Sequence, residues 1–226
     1  MDRERDESLP SPKGADEGAA ERERRSSYLS FVAHEARNPL ATALWSAELL
    51  ARISTEERAS PRGEKLAATC RRSLDRLRRL VEDHLFSERL DAGGLPMHPE
   101  AVSLEELVAA AARRAGLEDW KGDLGSDLQL VADRAVAERC VEGVLAAAGR
   151  GGAAVEVHAR LKQSRVVLTI RGAEPGPEAM QDPRRGSAPA DRARPLALSM
   201  ARRAARAAGG RLAVQGGAYC LELPAA

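Results

Sequence analysis

Across residues 25–53 the apolar positions return every three or four residues: Leu29, Ala33, Ala36, Leu40, Ala43 or Leu44, Ala47 and Leu50. That spacing keeps one stripe on one side of a helix, and it predicts a long helix with this stripe buried. Pro39 falls inside it. A proline there removes a backbone donor and crowds the preceding turn, so a kink is expected near residues 35–39. The polar run "STEERASPRGEK" (54–65) predicts a turn. A second helix is predicted over about 61–90, with Leu66, Cys70, Ser73 or Leu74, Leu77, Leu80 or Val81, and His84 or Leu85 as its stripe. Two amphipathic helices with a short link form an antiparallel hairpin that leaves one apolar side uncovered. A second copy would cover that side by completing a dimeric four-helix bundle.

After "LDAGGLPMHPE" (90–100) breaks the helical period, helices and strands mix. Residues 103–116 read as a helix opened by Ser103 with Glu106 three residues on, a capping-box spacing. Residues 127–133 read as a short strand and 134–151 as a helix ending in glycines. Residues 153–172 read as a hairpin, with alternation at Val155, Val157 and Ala159 and a return through Val166, Leu168 and Ile170. Residues 173–195 are a loop by composition. Residues 196–210 are a helix with a glycine stop, and 211–224 a closing hairpin around Gly216 and Gly217. The fold class expected is α+β: a helical hairpin followed by an α/β sandwich. The expected divisions are a disordered tail over 1–24, a hairpin domain over 25–92 and an α/β domain over 93–226. The tail is charged and rich in Pro, Gly and Ser, too poor in apolar surface to offset its ordering cost.

Composition narrows the function classes. Of 226 residues, 43% are apolar and 31% charged, as in a soluble globular protein, and aromatics at 3% leave the core to Leu, Val and Ala. A formal net charge of +1 gives no bulk attraction to nucleic acid. "RRSLDRLRR" (71–79) and "ARRAAR" (201–206) read as solvated helix faces. Cys70, Cys140 and Cys220 have no zinc or disulfide spacing and read as reduced thiols. No apolar run is long enough to span a membrane, and the N-terminus lacks a secretory core. A cytoplasmic location is expected.

One stretch carries chemistry. "FVAHEARNPL" (31–40) puts His34 beside Glu35 on the first helix, with Arg37, Asn38 and Pro39 behind. Neutral imidazole is a nucleophile near pH 7, and a carboxylate bound to one ring nitrogen aims the other outward. Glu35 points about 100° around the helix from His34, within reach of the ring or an incoming group. Asn38 is one turn on, where its amide could orient a phosphoryl group or a water. Arg37 could pair with a phosphate or form a surface ion pair. His84 reads as a bundle or interface residue, and His98 and His158 have no carboxylate constellation nearby in sequence.

The stretch "FVAHEARNPLATALWSAELL" resembles the phosphoacceptor box of histidine kinases, His-Glu-x-x-Asn-Pro-Leu on the first helix of a dimeric hairpin. "LDRLRRLVEDHLFSERLDAGGLPMHPEAVSLEELV" resembles that family's second helix and its link to the ATP-binding domain. "LVADRAVAERCVEGVLAAAG" and "GGRLAVQGGAYCLELP" resemble parts of the ATP-binding domain. The resemblance spans about residues 25–224. It implies that His34 is the phosphoacceptor, that Glu35 assists it as a base, and that Asn38 supports dephosphorylation of the partner. It also implies what is missing. Ala147 in "VEGVLAAAG" stands where the family has a magnesium-holding asparagine. Gly172 in "IRGAEPGP" stands where an aspartate accepts from adenine, with only Pro175 and Gly176 keeping the pattern. Pro195 and Ala197 in "RPLALSM" replace glycines that let the backbone approach phosphates.

Metal, base and phosphate recognition are each affected, so ATP binding is not expected. No cofactor is expected in the chain, and magnesium would come with a partner receiver domain. The expected function is phosphoryl transfer through His34 to or from receiver-domain aspartates, with the second domain degenerate. Two alternatives stand beside it: an active autokinase using ATP through a divergent pocket, and a non-catalytic scaffold that docks receivers or pairs with a true kinase. Expected partners are receiver domains of response regulators, a second copy of the chain, and a sensor kinase, since no sensing segment precedes the hairpin. Nucleic acid and membrane are not expected partners.

Overall fold

The computed structural model describes residues 12–125, 127–176, 180, 182–183 and 194–226, with side chains in the first helix from residue 22 onward. The first helix, α1, runs Pro12–Arg52 and passes through Pro39 as one element. It starts earlier than expected. Pro12 to Arg24, read as a tail, are helical, because "GAAERERR" consists of good helix formers apart from its glycine and continues straight into the box. The expectation for residues 1–11 lies outside the described residues.

The turn after α1 contains a short helix, α2 (Thr55–Arg58), closed by a capping box between Ser54 and Glu57. Arg58 reaches back, donating to the Leu50 and Ala51 carbonyls at 2.9 and 3.3 Å, and so satisfies the open end of α1. Helix α3 (Pro61–Asp91) starts with a proline, whose missing donor costs nothing there.

The hairpin corrects the reading of α1. The side that meets α3 carries the buried Tyr28, Pro39, Ala43 and Ser46, with Val32 and Leu50 half-buried. The stripe expected to be buried is mostly open: Leu29 is 48% exposed, Leu40 43% and Leu44 57%. On α3, Leu74, Val81 and Leu85 are open as well, at 43–52%. Small residues on the inner side let the helices approach, and the larger apolar ones are left outside.

The α/β part has β1 (Glu100–Ser103), α4 (Leu104–Ala115), β2 (Trp120–Asp123), β3 (Gln129–Ala132), α5 (Arg134–Ala148), β4 (Val155–Lys162), β5 (Arg165–Arg171), α6 (Ala197–Ala207), β6 (Arg211–Gln215) and β7 (Ala218–Pro224). Five strands form one sheet in the order β2-β4-β5-β7-β6. Only the β2–β4 pair is parallel. β1 and β3 pair separately, Glu100 opposite Ala132. Val155, Val157, Val166, Leu168, Ile170, Leu221 and Leu223 are buried in one core with α4, α5 and α6. The side chains between them, Glu156, His158 and Arg160, face solvent. The caps follow the sequence: Ser103 accepts from Glu106 N at the start of α4, and Asp133 accepts from Val136 N at the start of α5. Gly216 and Gly217, at φ 55° and 72°, form the tight turn between β6 and β7. Much of the 173–195 loop lies outside the described residues.

The two parts share packing. Phe86 and Leu90, near the end of α3, lie against the α/β core. Leu196, just before α6, is 1% exposed and sits with Tyr28 and Leu80, flanked by Phe31, Val32 and Ala36.

Candidate functional site

Helix α1 presents His34 to solvent, its side chain 66% exposed. Glu35 turns inward between α1 and α3 and is 14% exposed. One carboxylate oxygen lies 3.6 Å from His34 Nδ1, and the other lies 3.6 Å from an Arg76 guanidinium nitrogen on α3. An anion beside Nδ1 favours the tautomer with hydrogen there, which leaves Nε2 as the lone-pair nitrogen facing outward. Arg76 in turn restrains the carboxylate from the second helix. Asn38 and Arg37 are exposed on the turn that follows. The Asn38 carbonyl accepts from Thr42 Oγ1 at 3.0 Å. Pro39 has no N–H, so the Glu35 carbonyl receives no i+4 helical bond. His34 and Asn38 are thus exposed on successive turns of α1, with Glu35 turned inward between them.

The other histidines stand apart. His84 Nδ1 lies 3.1 Å from the Tyr28 hydroxyl inside the hairpin. The His98 backbone N–H donates to Asp133 Oδ2, and His158 is exposed on β4. Among the described residues no group of His, Cys, Asp and Glu could hold a metal ion. No helix among them is long and apolar enough to cross a membrane.

At the positions where the family resemblance places nucleotide groups, the backbone leaves little room. Ala147 is 3% exposed inside the core. A Cβ built on Gly172 would collide with the Ala148 carbonyl oxygen, which already accepts from Ala173 N at 2.6 Å. A carboxylate at 172 therefore does not fit this backbone. Gly143 of α5 meets the start of α6, where an added Cβ would lie 2.6 Å from the Ala197 carbonyl oxygen. Ala147, Gly172, Pro195 and Ala197 carry no side-chain oxygen to offer a magnesium ion or an adenine amino group.

A charged cluster that the sequence did not reveal lies beside the box. Asp83 of α3, 2% exposed, lies 3.5 Å from Arg139 and 3.6 Å from Arg194. Arg194 donates to Glu142 at 3.0 Å, and Arg139 also donates to Glu142 at 3.4 Å. The Arg139 guanidinium lies over the Phe86 ring, 5.7 Å from its centre. Burial pushes the Asp83 carboxyl up to about 6, against the pull of Arg194 and Arg139 and with Glu142 adding to the rise. The ordinary value is 3.8, so the folded chain holds this proton more tightly than the unfolded chain. The charged carboxylate is therefore a cost above about pH 6, and that cost is fully relieved only below the ordinary value. The stability of the wild type relative to Asp83→Asn, which cannot titrate, is expected to rise between pH 7 and pH 5. Thermal melts of both proteins check this, and a difference that stays flat or falls contradicts it.

Residues 24–93 match the family described as the His Kinase A (phospho-acceptor) domain. The chain belongs to the histidine kinase family. It is 33% identical over 168 residues to sensor protein KdpD of Mycobacterium tuberculosis, in strains H37Rv and CDC 1551. That alignment covers 68% of this chain and 19% of KdpD, so the chain spans about a fifth of the curated relatives it matches. Among solved structures, the Acinetobacter baumannii histidine kinase AdeS aligns over 84% of this chain and 97% of its own, with TM-score 0.63 and 17% identity. Histidine kinase ThkA, in complex with response regulator protein TrrA, aligns over 97% of this chain and 68% of its own, with TM-score 0.60 and 17% identity. At those identities the likeness is one of fold. A helical hairpin followed by an α/β sheet domain is the layout this chain shares with them.

Proposed function

We propose that this histidine kinase family protein transfers phosphoryl groups between His34 and receiver-domain aspartates, in the cytoplasm and as a homodimer, without an ATP site of its own. The observation that carries the reading is the exposed His34 ring with Glu35 at Nδ1 and Arg76 behind it. In the transfer, the Nε2 lone pair attacks the phosphorus of an aspartyl phosphate. The bond from phosphorus to the aspartyl oxygen breaks, and the aspartate leaves as a carboxylate. The hydrogen on Nδ1 stays in place, and Glu35 offsets the positive charge that develops on the ring. The reverse path delivers phosphate to a second receiver. Magnesium would arrive with the receiver, which needs its own charge relief at the phosphate. Asn38 is one turn on and exposed, which supports a role for its amide in orienting a water for dephosphorylation of the partner. The structure of ThkA with TrrA supports a receiver as partner for this fold. The open row of Leu29, Leu40 and Leu44 supports pairing with a second copy.

Ala147, Gly172 and the buried start of α6 support the absence of an ATP site. Isothermal titration calorimetry with magnesium and ATP is expected to show no binding at concentrations near a millimolar. A dissociation constant below about 100 µM, on the scale that separates real sites from weak ones, would favour an autokinase instead.

A further inference from the structure

We propose that Arg194–Leu196 is a latch that fixes the α/β domain against the hairpin, beside His34 and away from its open side, independently of nucleotide. The resemblance assigns this segment to a phosphate-binding turn, but here its side chains point into the hairpin. Leu196 is 1% exposed among Tyr28, Leu80, Phe31, Val32 and Ala36, so an apolar plug from the second domain completes a cluster on the first. Arg194, with its side chain only 8% exposed, reaches Asp83 on α3 and Glu142 on α5 at 3.6 and 3.0 Å. Pro195 joins Glu35, Arg76, Arg79, Leu80 and Asp83 in lining a cleft of about 10 Å³, too small for a nucleotide group.

Further contacts hold the same face along α3. Arg139 ties α5 to Asp83 and to Glu82, the latter at 3.5 Å. Arg203 of α6 pairs with Asp91 at 3.4 Å. Phe86 and Leu90 are packed into the α/β core. The α/β domain is held in its seat by the burial of Leu196 and the packing of Phe86 and Leu90, while the charges across the seam fix its register. His34 meanwhile keeps 66% of its side chain open. The latched form therefore offers the histidine to another protein while keeping the chain's own second domain off it.

The test measures distance in the full-length chain. Nitroxides are placed at the exposed positions Lys65 and Gln215, with Cys70 and Cys220 replaced by serine, and labelled protein is diluted with unlabelled protein to isolate distances within one protomer. Electron double resonance is expected to give one narrow distance distribution, unchanged by millimolar magnesium ATP. The pair Arg194→Ala and Leu196→Ser should broaden it severalfold, with far-UV circular dichroism unchanged. Asp83→Leu, made on the hairpin side, gives a second variant should the first lose its fold. A broad wild-type distribution, a shift caused by nucleotide, or a narrow distribution that survives in the folded variants overturns the latch. The measurement does not depend on phosphate, so it can fail while His34 still accepts phosphate.

Discussion

His34→Ala is expected to remove all label that a phosphorylated receiver passes to the wild-type chain. That label should be acid-labile and alkali-stable, as a nitrogen–phosphorus bond is. The loss should be complete because no other side chain in the exposed segment is a comparable nucleophile: Asn38 has no basic lone pair, and the Arg37 guanidinium offers only donors. Glu35→Ala should slow transfer without ending it. The carboxylate sits 3.6 Å from Nδ1, and in the proposed transfer it orients the ring and offsets its charge. Assistance of this kind is worth ~10²–10⁴-fold, and the lower end suits a ring this exposed to water. Asn38→Ala should spare transfer and alter the lifetime of the phosphate. Gel autoradiography after incubation with a phosphorylated receiver measures all three. Label that persists in His34→Ala sinks the proposed function. Docking without transfer, with any receiver, leaves a scaffold.

Leu40→Glu should turn a dimer into a monomer. In one chain Leu40 is 43% exposed and stands in a row with Leu29 and Leu44, opposite Leu74, Val81 and Leu85 on α3. Together they form the open side of the hairpin. In a four-helix bundle that side becomes the core, and each copy would bring a carboxylate into it with no cation nearby. Burying such a charge unpaired costs on the order of several kcal/mol per copy, enough to shift micromolar association by orders of magnitude. Light scattering with size exclusion at micromolar concentration reads the mass directly. A wild-type chain that already runs as a monomer contradicts the expectation.

The sequence made some of this legible and hid the rest for identifiable reasons. Val155, Val157, Val166, Leu168 and Ile170 alternate cleanly because one side of the sheet is buried and the other wet, so β4 and β5 could be read directly. β2 could not: Trp120–Asp123 is four residues of mixed polarity at a sheet edge, held by parallel pairing with β4. In α1 the period was right and the buried side only partly so: Ala36, Ala43 and Leu50 turn inward, while Leu29, Leu40 and Leu44 stay open. A repeat of three and four shows that an apolar stripe exists, but not whether its own hairpin or another chain covers it. The inner side also uses Pro39 and Ser46, which a search for apolar positions passes over. His34, Glu35 and Asn38 were readable because they are neighbours along one helix. Arg76, Asp83 and Arg194 were not, because each acquires its partner from another element, far away in sequence.

The four buried charges at this seam, Asp83, Arg139, Glu142 and Arg194, sum to zero and come from three separate stretches of chain. Exchanging Asp83 for a neutral residue leaves Arg139 to Glu82 and Glu142 and leaves Arg194 to Glu142 alone, so the charge balance of the whole cluster shifts. A lineage that drifts at one of these positions is therefore expected to adjust the others. Among relatives that keep the latch, positions 83, 139, 142 and 194 should be inherited as a block. Among relatives whose second domain swings free, all four should wander independently, and a record of common descent becomes a record of which chains still move.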